Sequence, residues 1–415
     1  MRPDEKTIDV ESGQSRLWVV SELYYPEETS TGYYLTRIAE GLAGDFDVKV
    51  LCGQPNYSAR GTVAPKHEIH NRVEIFRASG TTLNKNVIPF RVLNMLTLGI
   101  SIFLKALKQF KRGDRVLVVT TPPSMPYVVA LAALTKGSAY ILLIHDNYPE
   151  ILIACGKTRQ SSLLVSVVSY LNRWLYKSAS KIIVVGRDMR ELLRAKTDGL
   201  DVPITNIPNW SELESVSPAD RSENKLLREL GLSDKFVFLY AGNMGYPNDL
   251  ESIVKCADGL KDRTDAHFVF LGAGVKRKWL ENYVSERELG NVTLLDPRPR
   301  SEQSDFLNAC DVALVSLVEK MTGVSMPSRT YNILAAGKPI LALTERESEL
   351  ARVITEEKVG WIVPPGDSEF LTKTILGILD ERESLREMAA SARVAAITKY
   401  SLETALERYR EELRT

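Results

Sequence analysis

Residues able to handle a phosphorylated ligand recur in this chain just after short apolar runs. One run ends in Ile144-His145-Asp146-Asn147-Tyr148-Pro149-Glu150, which gathers an imidazole, two carboxylates and an amide. An imidazole beside a carboxylate can move a proton or orient a hydroxyl, so His145 and Asp146 are the candidate catalytic pair. Further along, Phe236–Tyr240 opens into Ala241-Gly242-Asn243-Met244-Gly245, and Phe268–Leu271 opens into Gly272-Ala273-Gly274 with Lys276, Arg277 and Lys278 behind it. Glycines at such turns let backbone amides approach a diphosphate, and Lys276 adds charge. A dinucleotide fingerprint would need a third glycine where Arg277 stands, which disfavours a nicotinamide site. Near the N-terminus, Thr29-Ser30-Thr31-Gly32 precedes a helical pattern whose first N–H groups suit a phosphate or sugar oxygen. The strongest local signal is Thr322-Gly323-Val324-Ser325-Met326-Pro327-Ser328-Arg329, a loop of small polar residues that ends in a guanidinium at a helix start.

Such turns are functional only if a scaffold brings them together. Val- and Ile-rich runs of strand length alternate with helical patterns along nearly the whole chain. In the first half they are Leu17–Val20, Val48–Leu51, Val73–Phe76, Val116–Val119, Tyr140–Ile144 and Ile182–Val185. In the second they are Phe236–Tyr240, Phe268–Leu271, Val292–Leu295, Val312–Val315, Ile340–Leu343 and Trp361–Val363. The runs are continuous rather than alternating, as parallel strands buried on both faces should be. Strand–helix alternation predicts doubly wound parallel sheets, and twelve strands divide into two sets of six. In that architecture ligands bind beyond the carboxyl ends of the strands, where these turns fall.

The composition shifts from apolar to polar after Asn206-Ile207-Pro208-Asn209-Trp210, which reads as an interdomain linker. The expected domains are 1–208 and 209–395, with a charged helix over about 396–415 able to pack back on the first. Lys plus Arg and Asp plus Glu both number 53, so global charge does not favour nucleic acid as a partner. The four cysteines are dispersed in apolar surroundings and read as reduced and buried. No Asp-x-Asp or clustered His and Cys pattern suggests a metal site, and no cofactor is expected. The N-terminus places Asp4, Glu5, Asp9 and Glu11 ahead of the first apolar run, unlike a secretion signal.

The order of motifs resembles retaining glycosyltransferase family 4. It comprises an N-terminal Tyr-Pro with a Gly loop, the Pro-Asn linker, Ala-Gly-Asn-x-Gly, Gly-x-Gly-x-Lys, Pro-Ser-Arg-x-Tyr-Asn and Ala-Ala-Gly-Lys-Pro. The resemblance covers almost the whole chain and points to the bacterial exopolysaccharide, O-antigen and colanic-acid-type branch. It implies a GT-B fold: two Rossmann-like doubly wound parallel-sheet domains facing a cleft. The C-terminal domain would bind a nucleotide-sugar donor, UDP-linked, and the N-terminal domain a saccharide or lipid-linked saccharide acceptor, with retention and without metal. By this resemblance Asn243 and Gly245 sit near the diphosphate, Arg298 near the base, and Ser325, Ser328 and Arg329 at the donor sugar or phosphate. Gly32, Gly274, Lys276 and Thr322 complete the candidate donor set. Many relatives carry Arg and Lys where Asn243 and Asn248 stand, and a glutamate where Asn332 stands. Asn332 can still bond ribose hydroxyls, and Arg329, Lys276 or Lys320 must then meet the diphosphate charge. A sugar-nucleotide epimerase of the same fold needs no acceptor and is the rival enzyme. A non-catalytic nucleotide-sugar-binding or membrane adaptor is the rival outside catalysis.

The expected location is the cytoplasm, with peripheral contact to the inner membrane face. The longest uncharged apolar segment, Val92 to Leu104, falls short of the ~20 residues that span a bilayer. It reads either as a buried helix or as one resting on lipid, flanked by Arg91, Lys105, Lys108, Lys111 and Arg112. Leu163–Lys177 is a second such segment.

Overall fold

Hydrophobic runs dominate the strands seen in the computed structural model, which describes residues 14–56, 63–83 and 87–414. The acidic N-terminal stretch of Asp4, Glu5, Asp9 and Glu11 lies outside the described residues. Two compact units form, Met1–Ile141 with Leu413–Thr415, and Leu142–Glu412. Among the described residues fourteen strands fall into two sheets, eight in one and six in the other.

In the first unit β1 (Arg16–Ser21), β2 (Asp47–Cys52), β3 (His67–His70), β4 (Val73–Arg77) and β5 (Arg115–Val119) lie in the order β3-β4-β2-β1-β5. All pairs are parallel except β3 with β4. Leu17 to Val20 and Val116 to Val119 are fully buried, as the continuous apolar runs require. Trp18 satisfies its indole N–H by donating to Asp114 Oδ2 at 2.9 Å. Helices Ser30–Leu42, Ile88–Gln109 and Met125–Lys136 belong to this unit. Thr29 caps the first by accepting from Gly32 N.

Strand β6 (Ala139–Ile144) leads into the second unit, where β7 (Lys181–Val184) pairs in parallel with β8 (Ile204–Asn206). The six-stranded sheet follows, built from β9 (Phe236–Ala241), β10 (Ala266–Leu271), β11 (Val292–Leu295), β12 (Val312–Ser316), β13 (Ile340–Leu343) and β14 (Gly360–Val363). Its order is β11-β10-β9-β12-β13-β14, parallel throughout. The core between this sheet and its helices is aromatic: Phe238 stacks on Phe268 at 5.3 Å, and Tyr240 and Phe270 are fully buried beside them. Each such side chain contributes roughly 1.5–3 kcal/mol by burial.

Every expected strand is present, but eight and six replace the expected six and six. The two additions lack a sequence signal. Strand β3 is an exposed antiparallel edge reading His-Glu-Ile-His, and β8 has only three residues. The segment expected to be too short to span a bilayer is also corrected. Its helix runs 22 residues, Ile88–Gln109, because residues on both sides of the uncharged stretch continue the helix. Cys52, Cys256 and Cys310 are buried free thiols, whereas Cys155 is partly accessible.

Candidate functional site

Within the second unit, the exits of β9 and β10 meet. Gly242, Gly272 and Gly274 have φ of +154°, +145° and +154°, where L side chains are rare. A Cβ on Gly272 would stand 2.0 Å from Gly242 O, and one on Gly274 2.5 Å from Met244 O, so the two turns nest backbone on backbone. Met244 N donates to Ala273 O at 2.8 Å, and Lys276 N to Met244 O at 3.0 Å.

Asn248 is the junction of this cradle. Its Nδ2 donates to Asn243 O at 3.0 Å, and that same oxygen also accepts from Tyr240 OH at 2.7 Å. Its Oδ1 accepts from Arg329 Nη2 at 2.9 Å, and its backbone O from Lys276 Nζ at 2.7 Å. Two cations therefore converge on one asparagine. Arg329 also lies 4.5 Å over the Tyr240 ring and fills the space that a Cβ on Gly242 would take. Its Nε is buried with no acceptor among the described residues. Lys276 is balanced by Glu251 at 2.9 Å. Gly245 closes the turn by accepting from Asn248 N at 3.2 Å.

The loop leaving β12 is fixed from several directions. Val318 N donates to Pro247 O, tying it to the β9 turn. Glu345 accepts from Thr322 N at 2.9 Å, Thr322 Oγ1 at 2.6 Å and Lys320 N at 3.1 Å. Burial would raise the Glu345 pKa, but these hydrogen bonds outweigh it and hold the carboxyl below its ordinary value. At Gly323, whose φ is +73°, Asp188 Oδ2 accepts the N–H at 2.9 Å. Asn147 donates its Nδ2 to Gly323 O at 2.7 Å and its N to Val324 O at 2.8 Å. Asp146 forms a bridge with Ser325. The exits of β6 and β7 thus hold the loop that carries Thr322, Ser325, Ser328 and Arg329.

Burial pushes His145 down to about 4 and Asp146 up to about 6. Burial thus keeps the imidazole uncharged at neutral pH and makes Asp146 easier to protonate than an ordinary carboxyl. A cavity of about 580 Å³ opens beside Lys276, walled by Cys155, Tyr246, Val275, Trp279 and Val318.

Other candidates are placed differently. Arg298 pairs with Glu302 at 3.0 Å and Glu229 at 3.5 Å. Asn332 is buried, donating to Glu212 Oε1 at 2.6 Å and Gln303 Oε1 at 3.0 Å and accepting from Glu212 N at 2.8 Å. Its amide is committed to the linker after β8. Gly32 belongs to the first unit, where a Cβ would stand 2.7 Å from Glu27 O. Sequence reasoning missed Asp188, although the rule of reading strand exits, applied to Gly186-Arg187-Asp188 after β7, would have reached it.

Two Rossmann-like sheets, parallel apart from the β3 edge, with glycine turns at strand exits give the chain the GT-B architecture. Residues 222–395 match the family model for glycosyl transferases group 1, and residues 30–210 match the glycosyl transferase 4-like domain. "Probable glycosyltransferase WbjE" of Pseudomonas aeruginosa is 30% identical over 362 residues, 87% of this chain and 88% of the relative. WcaI of Escherichia coli, named as a glycosyl transferase of colanic acid biosynthesis, is 25% identical over 80% of this chain and 83% of its own. The chain belongs to this glycosyltransferase family. Among solved structures, a sucrose-phosphate synthase from Thermosynechococcus elongatus superposes with a TM-score of 0.76 at 15% identity, over 97% of this chain and 98% of that one. Anabaena HepE in complex with UDP gives 0.72 at 14%, over 97% and 100%.

Proposed function

We propose that this glycosyltransferase transfers a hexose from a UDP-sugar to a saccharide or lipid-linked saccharide acceptor, with retention and without a metal. The convergence of Arg329 and Lys276 on Asn248, at the mouth of two nested glycine turns, carries the reading. Departure of the nucleotide leaves negative charge on the diphosphate. Cations already held in place stabilise it without reorganising. They also supply the charge that relatives place at the positions of Asn243 and Asn248. The donor reading gains support from HepE, which has been solved with UDP and with UDP-glucose. Asp146, which bridges Ser325, and the adjacent His145 are assigned to orienting the sugar and the acceptor hydroxyl.

A thermal-shift panel of UDP, GDP and ADP with their glucose conjugates tests the donor assignment. Ligand binding to the folded state should add ~2.7 kcal/mol at a hundredfold excess over Kd, with UDP the best of the three. A melt that no nucleoside diphosphate shifts would overturn it. Release of UDP that depends on acceptor separates a transferase from an epimerase.

A further inference from the structure

We propose that the Ile88–Gln109 helix docks flat on an anionic lipid bilayer. Among the described residues it is the one helix long and apolar enough to cross a membrane, yet only 22% of its most apolar window is buried. The buried part is one face. Leu98, Ile102 and Ala106 are inaccessible, and the helix packs against the Met125–Lys136 helix and β2. A Cβ on Gly80 would meet Leu98 Cβ at 3.1 Å, so the loop after β4 also presses on this face.

The opposite face is bare. Leu93, Leu96, Ile100 and Leu104, spaced three, four and four residues apart, form one stripe with exposures of 44%, 57%, 61% and 60%. Phe90 and Val92 extend it, and the neighbouring Met125–Lys136 helix exposes Leu131 and Leu134. Such a run of large apolar side chains marks an interaction surface. A helix with one face built into a sheet domain cannot be threaded through a bilayer. It can lie in the interface plane with its free face among the headgroups and upper acyl chains.

Charge selects lipid as the occupant. From Ile88 to Arg112 there is no acidic residue, while Arg91, Lys105, Lys108, Lys111 and Arg112 supply five cations. Arg91, Lys108, Lys111 and Arg112 are exposed. An apolar stripe bordered by cations matches an acyl layer edged by phosphate, and the attraction should fall with salt.

The full chain would be sedimented with vesicles of phosphatidylcholine alone or mixed with phosphatidylglycerol, at low and high salt. The expected result is at least tenfold tighter binding to the anionic vesicles, weakened by salt. Leu96→Glu/Ile100→Glu should lose at least tenfold, and Lys108→Glu/Lys111→Glu should lose the anionic preference. Both variants should keep the wild-type melt and its shift by UDP, since all four side chains lie outside the donor machinery. Failure of the wild type to bind anionic vesicles at low salt would overturn the proposal, as would undiminished binding by Leu96→Glu/Ile100→Glu. So would a lipid-free dimer that this variant dissolves, in the absence of vesicle binding, because the stripe would then face a second copy. None of these outcomes depends on the donor assignment.

Discussion

Removing the Asp188 carboxylate should loosen the β12 loop and with it the donor site. The side chain is 3% exposed. Its Oδ2 accepts from Gly323 N and Glu349 N, each at 2.9 Å, and its Oδ1 from Met189 N at 2.7 Å. In Asp188→Ala the Gly323 and Glu349 N–H groups lose their acceptor in a buried site. Each such loss costs about 1–3 kcal/mol, so ~2–6 kcal/mol is expected in all. At roughly 2–4 °C per kcal/mol the melting transition should fall by on the order of 10 °C. Asp188→Asn keeps one carbonyl oxygen, which can accept from both Gly323 and Glu349 while its NH2 is turned toward Met189 N. Its cost should be about 1–2 kcal/mol, less than that of the alanine variant. Because the same loop carries Ser325, Ser328 and Arg329, donor KM should rise in the same order, while a purely global destabilisation would leave KM unchanged at a temperature where both variants are folded. Calorimetry with donor-titrated initial rates measures both. If Asp188→Ala melts with the wild type, or if its donor KM is unaltered, Asp188 does not hold the loop.

Arg329→Ala should weaken UDP binding by ~1.5–3 kcal/mol in calorimetric titration, the size of a hydrogen bond to a charged group; unchanged affinity would transfer the charge role to Lys276. His145 and Asp146 should give opposite pH responses. His145, lowered from 6.5 to about 4, favours the fold above pH 6.5 and loses that contribution as pH falls toward 4. Asp146, raised from 3.8 to about 6, favours the fold at low pH and loses that contribution as pH rises through 6. Between pH 4 and 6 the slopes oppose one another, so Asp146→Asn should make the melting temperature fall more steeply on acidification than in the wild type. Parallel Tm–pH curves for the two proteins would contradict this assignment. Turnover should survive EDTA; loss on chelation that is restored by magnesium or manganese would refute metal-independent transfer.

The amino-acid sequence by itself determined the alternation of buried strands and helices, because a parallel strand covered on both faces must be a continuous apolar run. That pattern located twelve of the strands, such as Val116–Val119 and Phe268–Leu271, and the glycine turns at their ends. Strand β3 was illegible because an exposed edge needs no apolar run, and β8 because three residues carry no period. Which polar residues share a site was decided by tertiary structure alone. Asp188 and Gly323 are 135 positions apart, and only the exits of β7 and β12 bring them within a hydrogen bond. Asn332, expected to face the donor, is instead committed to Glu212, a contact across 120 positions. The same holds for the Ile88–Gln109 helix. Its sequence is apolar on most sides, and packing against the Met125–Lys136 helix decided which side is covered and which meets the surroundings. Local propensity fixes how a segment folds, whereas the partners of a polar group depend on chain topology, to which nearest-neighbour patterns are blind.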